Sequence, residues 1–138
     1  MNRLTDNVLS HSASVARVMY EFSPENKEDM YTLGLLHDVG KSKGVSGHEE
    51  KGAEILKSVG FKYYKEVYYH GRVQDEYSSE ALDILNMADL TVNAFGDVVG
   101  FSARLLDIGE RYGRDSIQYK NAEALIESLS AKGIVYKR

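Results

Sequence analysis

The chain has 138 residues, 43% of them hydrophobic and 28% charged, with 17 Lys and Arg against 21 Asp and Glu for a formal net charge of −4. That length suits one domain with a single core, and the acidic balance argues against a broad nucleic-acid-binding face, which needs a basic surface. Cysteine is absent, which excludes disulfides and thiolate metal sites, so any metal must be held by His, Asp or Glu.

The opening run Met1-Asn2-Arg3-Leu4-Thr5-Asp6 lacks the apolar core of a signal peptide. No stretch of about 18 apolar residues occurs, so no membrane span is expected and the cytoplasm is the expected location. The first helix is expected to start at Thr5 or Asp6, either of which can cap its free amides. Val8, His11, Val15, Val18, Met19 and Phe22 then fall on one helical face. His11 interrupts an apolar stripe, so its ring is expected to point inward. Ser23-Pro24 reads as the stop of this helix and the start of a second, from Pro24 to Asp38, with Glu25 and Glu28 at the positive end of its dipole.

The second helix carries Met30, Leu33, Leu36 and His37 on one face, with Gly34 allowing close packing. It runs into Leu35-Leu36-His37-Asp38-Val39-Gly40-Lys41, a stretch in which Gly40 is expected to turn the backbone away. Gly40, Gly44 and Gly47 mark an irregular connection. Ser46 and Glu49 stand at the offset of a capping box, opening a third helix to Val59 with His48 in its first turn. A tyrosine-rich fourth helix is expected from Lys62 to His70, stopped by Gly71 and followed by a polar loop to Ser78. The fifth, Ser79 to Asn93, places Asp89 on a mostly apolar face. After a loop from Ala94 to Phe101, Ser102 is expected to cap a sixth helix ending at Gly113. Asp115 with Gln118 suggests a capping box for a last helix to Lys132. Ile134-Val135-Tyr136 reads as a short strand or a docked end.

The fold class is therefore all-α, a bundle of six or seven helices. Four histidines occur, His11, His37, His48 and His70, each inside or at the end of an expected helix. With Asp38 and Asp89 they make inward-facing imidazole and carboxylate groups on several helices, which is how a helical bundle builds a metal site. Such a donor set suits one or two divalent ions of Fe, Mn, Co, Ni, Zn or Mg, and a carboxylate can bridge a pair. Each residue also has a plainer reading. His48 serves equally as an exposed first-turn residue, His70 as a charge against a helix end, and Lys41 as a solvated cation. Phe61, Tyr63, Tyr64, Tyr68, Tyr69 and Tyr77 read as core in preference to a base-stacking platform. Thr91, Asn93 and Arg104 are unranked candidates for the pocket.

His11, His37-Asp38 and Asp89 form an H…HD…D pattern that resembles the HD-domain metal-dependent phosphohydrolases. The resemblance extends from about Asp6 to Leu106 within a single domain spanning 1–138, and includes the Leu-Leu-His-Asp-x-Gly-Lys run and Met87-Ala88-Asp89-Leu90. It implies an all-α fold with His11, His37, Asp38 and Asp89 as ligands of a first ion. His48 and His70 match subfamilies that hold two ions, among them the hydrolases of dinucleoside tetraphosphates, with Asp38 as the bridge. Lys41 would contact a substrate phosphate; apart from the resemblance, Lys41, Arg72 and Lys43 are the cations that could add point-charge stabilisation. Two departures stand out: Gly71-Arg72 follow His70 where relatives often have a second His or a Thr, and Val39-Gly40-Lys41-Ser42 replaces the acidic pair of the guanosine-tetraphosphate hydrolases. The implied activity is hydrolysis of a small phosphorylated metabolite, a nucleotide or dinucleoside polyphosphate, through a metal-activated water. The alternatives are a non-catalytic metal- or nucleotide-binding sensor or partner-binding module, and di-iron oxygenase chemistry. A small-molecule phosphate partner is expected, with no nucleic acid and no membrane.

Overall fold

A computed structural model describes residues 5–43 and 47–137. Among these residues there are seven α-helices and no strand: α1 (Asp6–Phe22), α2 (Lys27–Leu36), α3 (His48–Ser58), α4 (Tyr64–Tyr69), α5 (Glu80–Asp89), α6 (Phe101–Tyr112) and α7 (Ile117–Ala131), with a 3-10 turn over Val39–Lys43. Among the described residues no helix is long and apolar enough to cross a membrane. The core is made by Val15 and Met19 of α1, Leu33 of α2, Val67 of α4, Leu85 and Met87 of α5 and Leu129 of α7, all essentially inaccessible.

Helix α1 starts where its cap was expected, the Thr5 hydroxyl accepting from the Val8 amide. Its end corrects the reading of Ser23-Pro24. Ser23 gives both its amide and its hydroxyl to the Met19 carbonyl, so it closes α1, and the cap position of the next helix falls at Asn26, three residues on. Helix α2 begins three residues beyond Pro24, at Lys27, after Asn26 turns through the left-handed region at φ 56°. The Lys27 ammonium donates to the Tyr20 and Ser23 carbonyls at the end of α1. The two helices lie so close that a Cβ on Gly34 would sit 2.6 Å from the Ala16 Cα. This approach brings the His11 and His37 rings to 5.4 Å between centroids.

Gly40 serves a different purpose from the one expected. It does not adopt a positive φ; it removes a clash. A Cβ there would stand 1.9 Å from the His48 carbonyl oxygen, so only glycine lets the turn after Asp38 lie against the start of α3. Helix α3 is entered at Gly47 with φ 67°. The expected capping box depends on Ser46, which lies outside the described residues.

Helix α5 is capped by Ser79, whose hydroxyl accepts from the Leu82 amide. It ends at Asp89, four residues before the expected Asn93, because the chain folds back on itself. Asn93 donates its amide to the Asp97 carbonyl and Val99 to that of Thr91, giving an isolated bridge between Val92 and Val98. Helix α6 starts at Phe101 after Gly100, with no side-chain cap; Ser102 lies inside it. In α7 the cap is Ser116, accepting from the Tyr119 amide, one residue beyond the expected Asp115. The tail forms no strand. It docks, the Ile134 amide bonded to the Leu129 carbonyl and the Tyr136 hydroxyl to the Glu21 carboxylate.

Candidate metal centre

The structure brings six of the expected residues together: His11 from α1, His37 and Asp38 at the end of α2, His48 at the start of α3, His70 just after α4, and Asp89 as the last residue of α5. Three of the imidazoles are pinned through Nδ1 to backbone carbonyls. His11 Nδ1 lies 2.9 Å from the Asn93 oxygen, His37 Nδ1 2.7 Å from that of Gly34, and His70 Nδ1 2.6 Å from that of Val67. A carbonyl only accepts, so each Nδ1 carries a proton and each Nε2 is left facing the centre as the atom that can ligate an ion, the arrangement typical of metal-ligating histidine. The backward bend of the chain after Asp89 therefore has a function: it delivers the Asn93 carbonyl that orients His11.

Asp38 divides the cluster. Its Oδ2 faces one set, 3.2 Å from His37 Nε2 and 4.0 Å from His11 Nε2. Its Oδ1 faces another, 3.3 Å from His48 Nε2 and 3.8 Å from His70 Nε2. Asp89 Oδ1 closes the ring, 2.8 Å from His11 Nε2 and 3.5 Å from His37 Nε2. Three overlapping groups have donor atoms near enough to share an ion: His11, His37 and Asp38; His37, His70 and Asp89; and Asp38, His48 and His70.

Lone pairs and carboxylate oxygens pointed at one another repel unless a cation lies between them. His37 Nε2 shows this most sharply. The side chain is wholly buried, and this nitrogen has no hydrogen-bond partner, although two carboxylates lie within 3.5 Å. In the protein alone, a proton takes the cation's part. Burial works to lower the His37 pKa, but the adjacent Asp38 carboxylate, aided by Asp89, outweighs it and raises the value to about 10. Burial likewise opposes ionisation of Asp38 and Asp89. His37 with His48 and Lys41 holds Asp38 well below the ordinary carboxylate range, and His11 with His37 does so for Asp89. His70, with no proton needed on Nε2, is pushed down by burial and by the charge on His37. An orphaned buried nitrogen and ionised carboxylates with imidazole lone pairs are a donor set that a divalent ion fits.

Lys41 stands at the mouth, its ammonium 3.3 Å from Asp38 Oδ2; burial lowers its pKa, but Asp38 and Asp89 raise it further, so it stays charged. Arg72 is not brought to this centre. Its guanidinium stacks over Tyr68 and Tyr69 and donates to the Tyr68 carbonyl. Of the aromatic set, Phe61, Tyr63 and Tyr64 pack against the core. Tyr68, Tyr69 and Tyr77 line a separate surface groove.

Two cavities open onto the cluster, walled by α6 and α7, from which the sequence offers only Arg104 as an unranked pocket candidate. One, of about 150 Å³, lies between Asp38, His48, His70 and Asp89 on one side and Gln118, Asn121 and Leu125 of α7 on the other. The second, of about 290 Å³, is bounded by His11, Asp38 and Lys41 and by Arg104, Arg111 and Tyr112 of α6. Arg104 also braces the centre. Its Nε donates to the Asp89 carbonyl at 3.1 Å, and its Nη1 to Asp107, whose carboxylate accepts in turn from the Ala94 amide. Glu49, expected only as a capping partner, lies 3.4 Å from His48 Nε2 and lines the first cavity.

An all-helical protein with a buried His/Asp cluster at the ends of several helices is of the kind that could hold a divalent ion for hydrolytic chemistry. The family model described as HD domain matches residues 8–94, which takes in all six clustered residues. The chain belongs to the HD domain family, whose members are mostly metal-dependent hydrolases. No curated protein and no solved structure matches it.

Proposed function

We propose that the chain is a metal-dependent phosphohydrolase acting on a small phosphorylated metabolite, a nucleotide or dinucleoside polyphosphate. The observation that carries this reading is the division of the Asp38 carboxylate, one oxygen toward His11 and His37 and the other toward His48 and His70. A carboxylate shared between two histidine sets suits a pair of ions: His11, His37, Asp38 and Asp89 would hold the first, and Asp38, His48 and His70 the second. Bound there, divalent ions supply Lewis acidity, which makes water a nucleophile near neutral pH and draws negative charge from a phosphoryl group.

The chain's own residues supply the rest. The carbonyls of Asn93, Gly34 and Val67 fix the three imidazole orientations. Low-pKa carboxylates at Asp38 and Asp89 keep the ligands charged. Lys41 places a fixed positive charge beside Asp38, where a phosphoryl oxygen gains from it as charge develops. Phosphate release from a panel of nucleotides and phosphate esters, with metal content measured in the same preparation, tests the reading. Turnover that requires divalent metal and is lost in Asp38→Ala, with helicity unchanged, supports it. Tight metal binding with no phosphate release from any member of the panel would instead assign a sensor.

A further inference from the structure

The two cavities share Asp38, Lys41, Arg104 and Tyr112, yet differ in what each adds. The α7 side adds the neutral amides of Gln118 and Asn121 with apolar Ile108 and Leu125, beside the carboxylate of Glu49. The α6 side adds one more cation, Arg111, and no further carboxylate. Arg111 is exposed in the last turn of α6, and no carboxylate pairs with it among the described residues. The other two cations of this cleft are engaged, Lys41 with Asp38 and Arg104 with Asp107 and Asp89. The α6 side thus adds positive charge beyond the shared residues, and the α7 side adds amide and apolar surface together with one carboxylate.

We propose that the site takes a substrate carrying two or more linked phosphates, with Arg111 reading the phosphate beyond the reacting one and the Gln118–Asn121 face of α7 receiving the uncharged organic group. This rests on the phosphohydrolase reading and narrows it: a monoester would leave the Arg111 cleft without an anion. A guanidinium with no internal partner loses no ion pair on engaging a phosphate oxygen, and the planar fork suits that contact. The Glu49 carboxylate makes the α7 side a poor place for the extra phosphate.

Calorimetric titration of the metal-loaded protein with inorganic phosphate and with pyrophosphate, at a fixed excess of free divalent ion, tests the assignment without requiring turnover. Pyrophosphate is expected to bind about tenfold more tightly than phosphate, the size of one charge-assisted contact, with Arg111→Gln bringing the two within about twofold. Arg114→Gln, which removes an exposed guanidinium that lines neither cavity, is expected to keep the preference. Equal affinities in the wild type, or a preference that survives Arg111→Gln, would overturn the proposal. An Arg111-dependent preference in a protein that releases phosphate from nothing would leave this subsite standing and remove the hydrolase reading. Vigorous phosphate release with no such preference would do the reverse.

Discussion

Helices α1 to α5 and helices α6 and α7 meet at the same centre but are built to different standards. The first group supplies six side chains that are mostly inaccessible, three of them locked by backbone carbonyls, behind a core of large apolar residues. In the second group, α6 buries only Ile108, and Arg111 and Gln118 stand in solvent. The difference reflects what each must do. An ion tolerates little error in donor position or protonation, so its donors are fixed by burial and by second partners. A cavity wall needs only a suitable surface. Changes in the first group should remove the metal, and changes in the second should leave the metal and alter what is bound beside it.

The sharpest break in that contrast comes from Asp38→Asn. The amide keeps the shape but gives up the charge, and one of its atoms is now a donor facing imidazole lone pairs. Metal content is expected to fall for both ions, and phosphate release by about 10³-fold or more. Full metal occupancy in this variant would end the view of Asp38 as the shared ligand. Gly40→Ala comes next, because its Cβ would meet the His48 carbonyl at 1.9 Å and backbone must move. The expected loss is about 1–3 kcal/mol in thermal or denaturant unfolding, with the ion on the His48 side lost before the other. An unchanged melting temperature would show that the turn after Asp38 does not lie against α3 in solution.

Legibility followed the same division. His11 and Asp89 were recognisable because a titratable residue in an apolar helical stripe is a local contradiction, and burial of such groups requires partners. The helix count was legible from apolar periodicity for the same reason. Boundaries were not, where one residue could serve either of two helices: Ser23 could close one or open the next, and in the fold it closes the first through the Met19 carbonyl while α2 starts only at Lys27. Asp115 and Ser116 are both good caps one residue apart. Gly40 looked like a turn residue because the clash it avoids comes from α3, which the sequence around it does not show. Arg104 was a pocket candidate that nothing ranked, and Arg111 and Asn121 gave no signal, since polar residues on half-exposed helices look alike whether or not a cavity lies beneath them. Asp107 was hidden too: Arg104 stands one helical turn before it, but the Ala94 amide reaches it only through the fold.

Arg104 sits on the border between the two groups and offers an intermediate test. Arg104→Met keeps much of the packing length but releases the Asp89 carbonyl and leaves Asp107 without its guanidinium. Outer partners of metal ligands typically matter by about 10–100-fold, and the lower end is expected here because Arg104 bonds the Asp89 carbonyl and stands 3.7 Å from the ligand oxygen Oδ1. Metal affinity measured by competition with a chelator reads this directly. Wild-type affinity in a folded Arg104→Met protein would place Arg104 wholly with the cavity wall.

The smallest effect is expected at Arg72, which is close to a cluster residue in sequence and apart from the cluster in space. His70 turns inward, buried and bonded to Val67, while the chain passes through Gly71 at φ 93° and sends Arg72 back over Tyr68 and Tyr69. Its guanidinium is engaged by two rings and a carbonyl on the outer side of α4, and it lines neither cavity at the centre. Arg72→Gln is therefore expected to change stability by no more than about 0.5–1 kcal/mol, the worth of an exposed cation–π contact, with metal content and phosphate release unchanged. A clear rise in KM in this variant, with unfolding unaffected, would bring the polar loop after α4 over the cavity during binding and blur the line between the two regions.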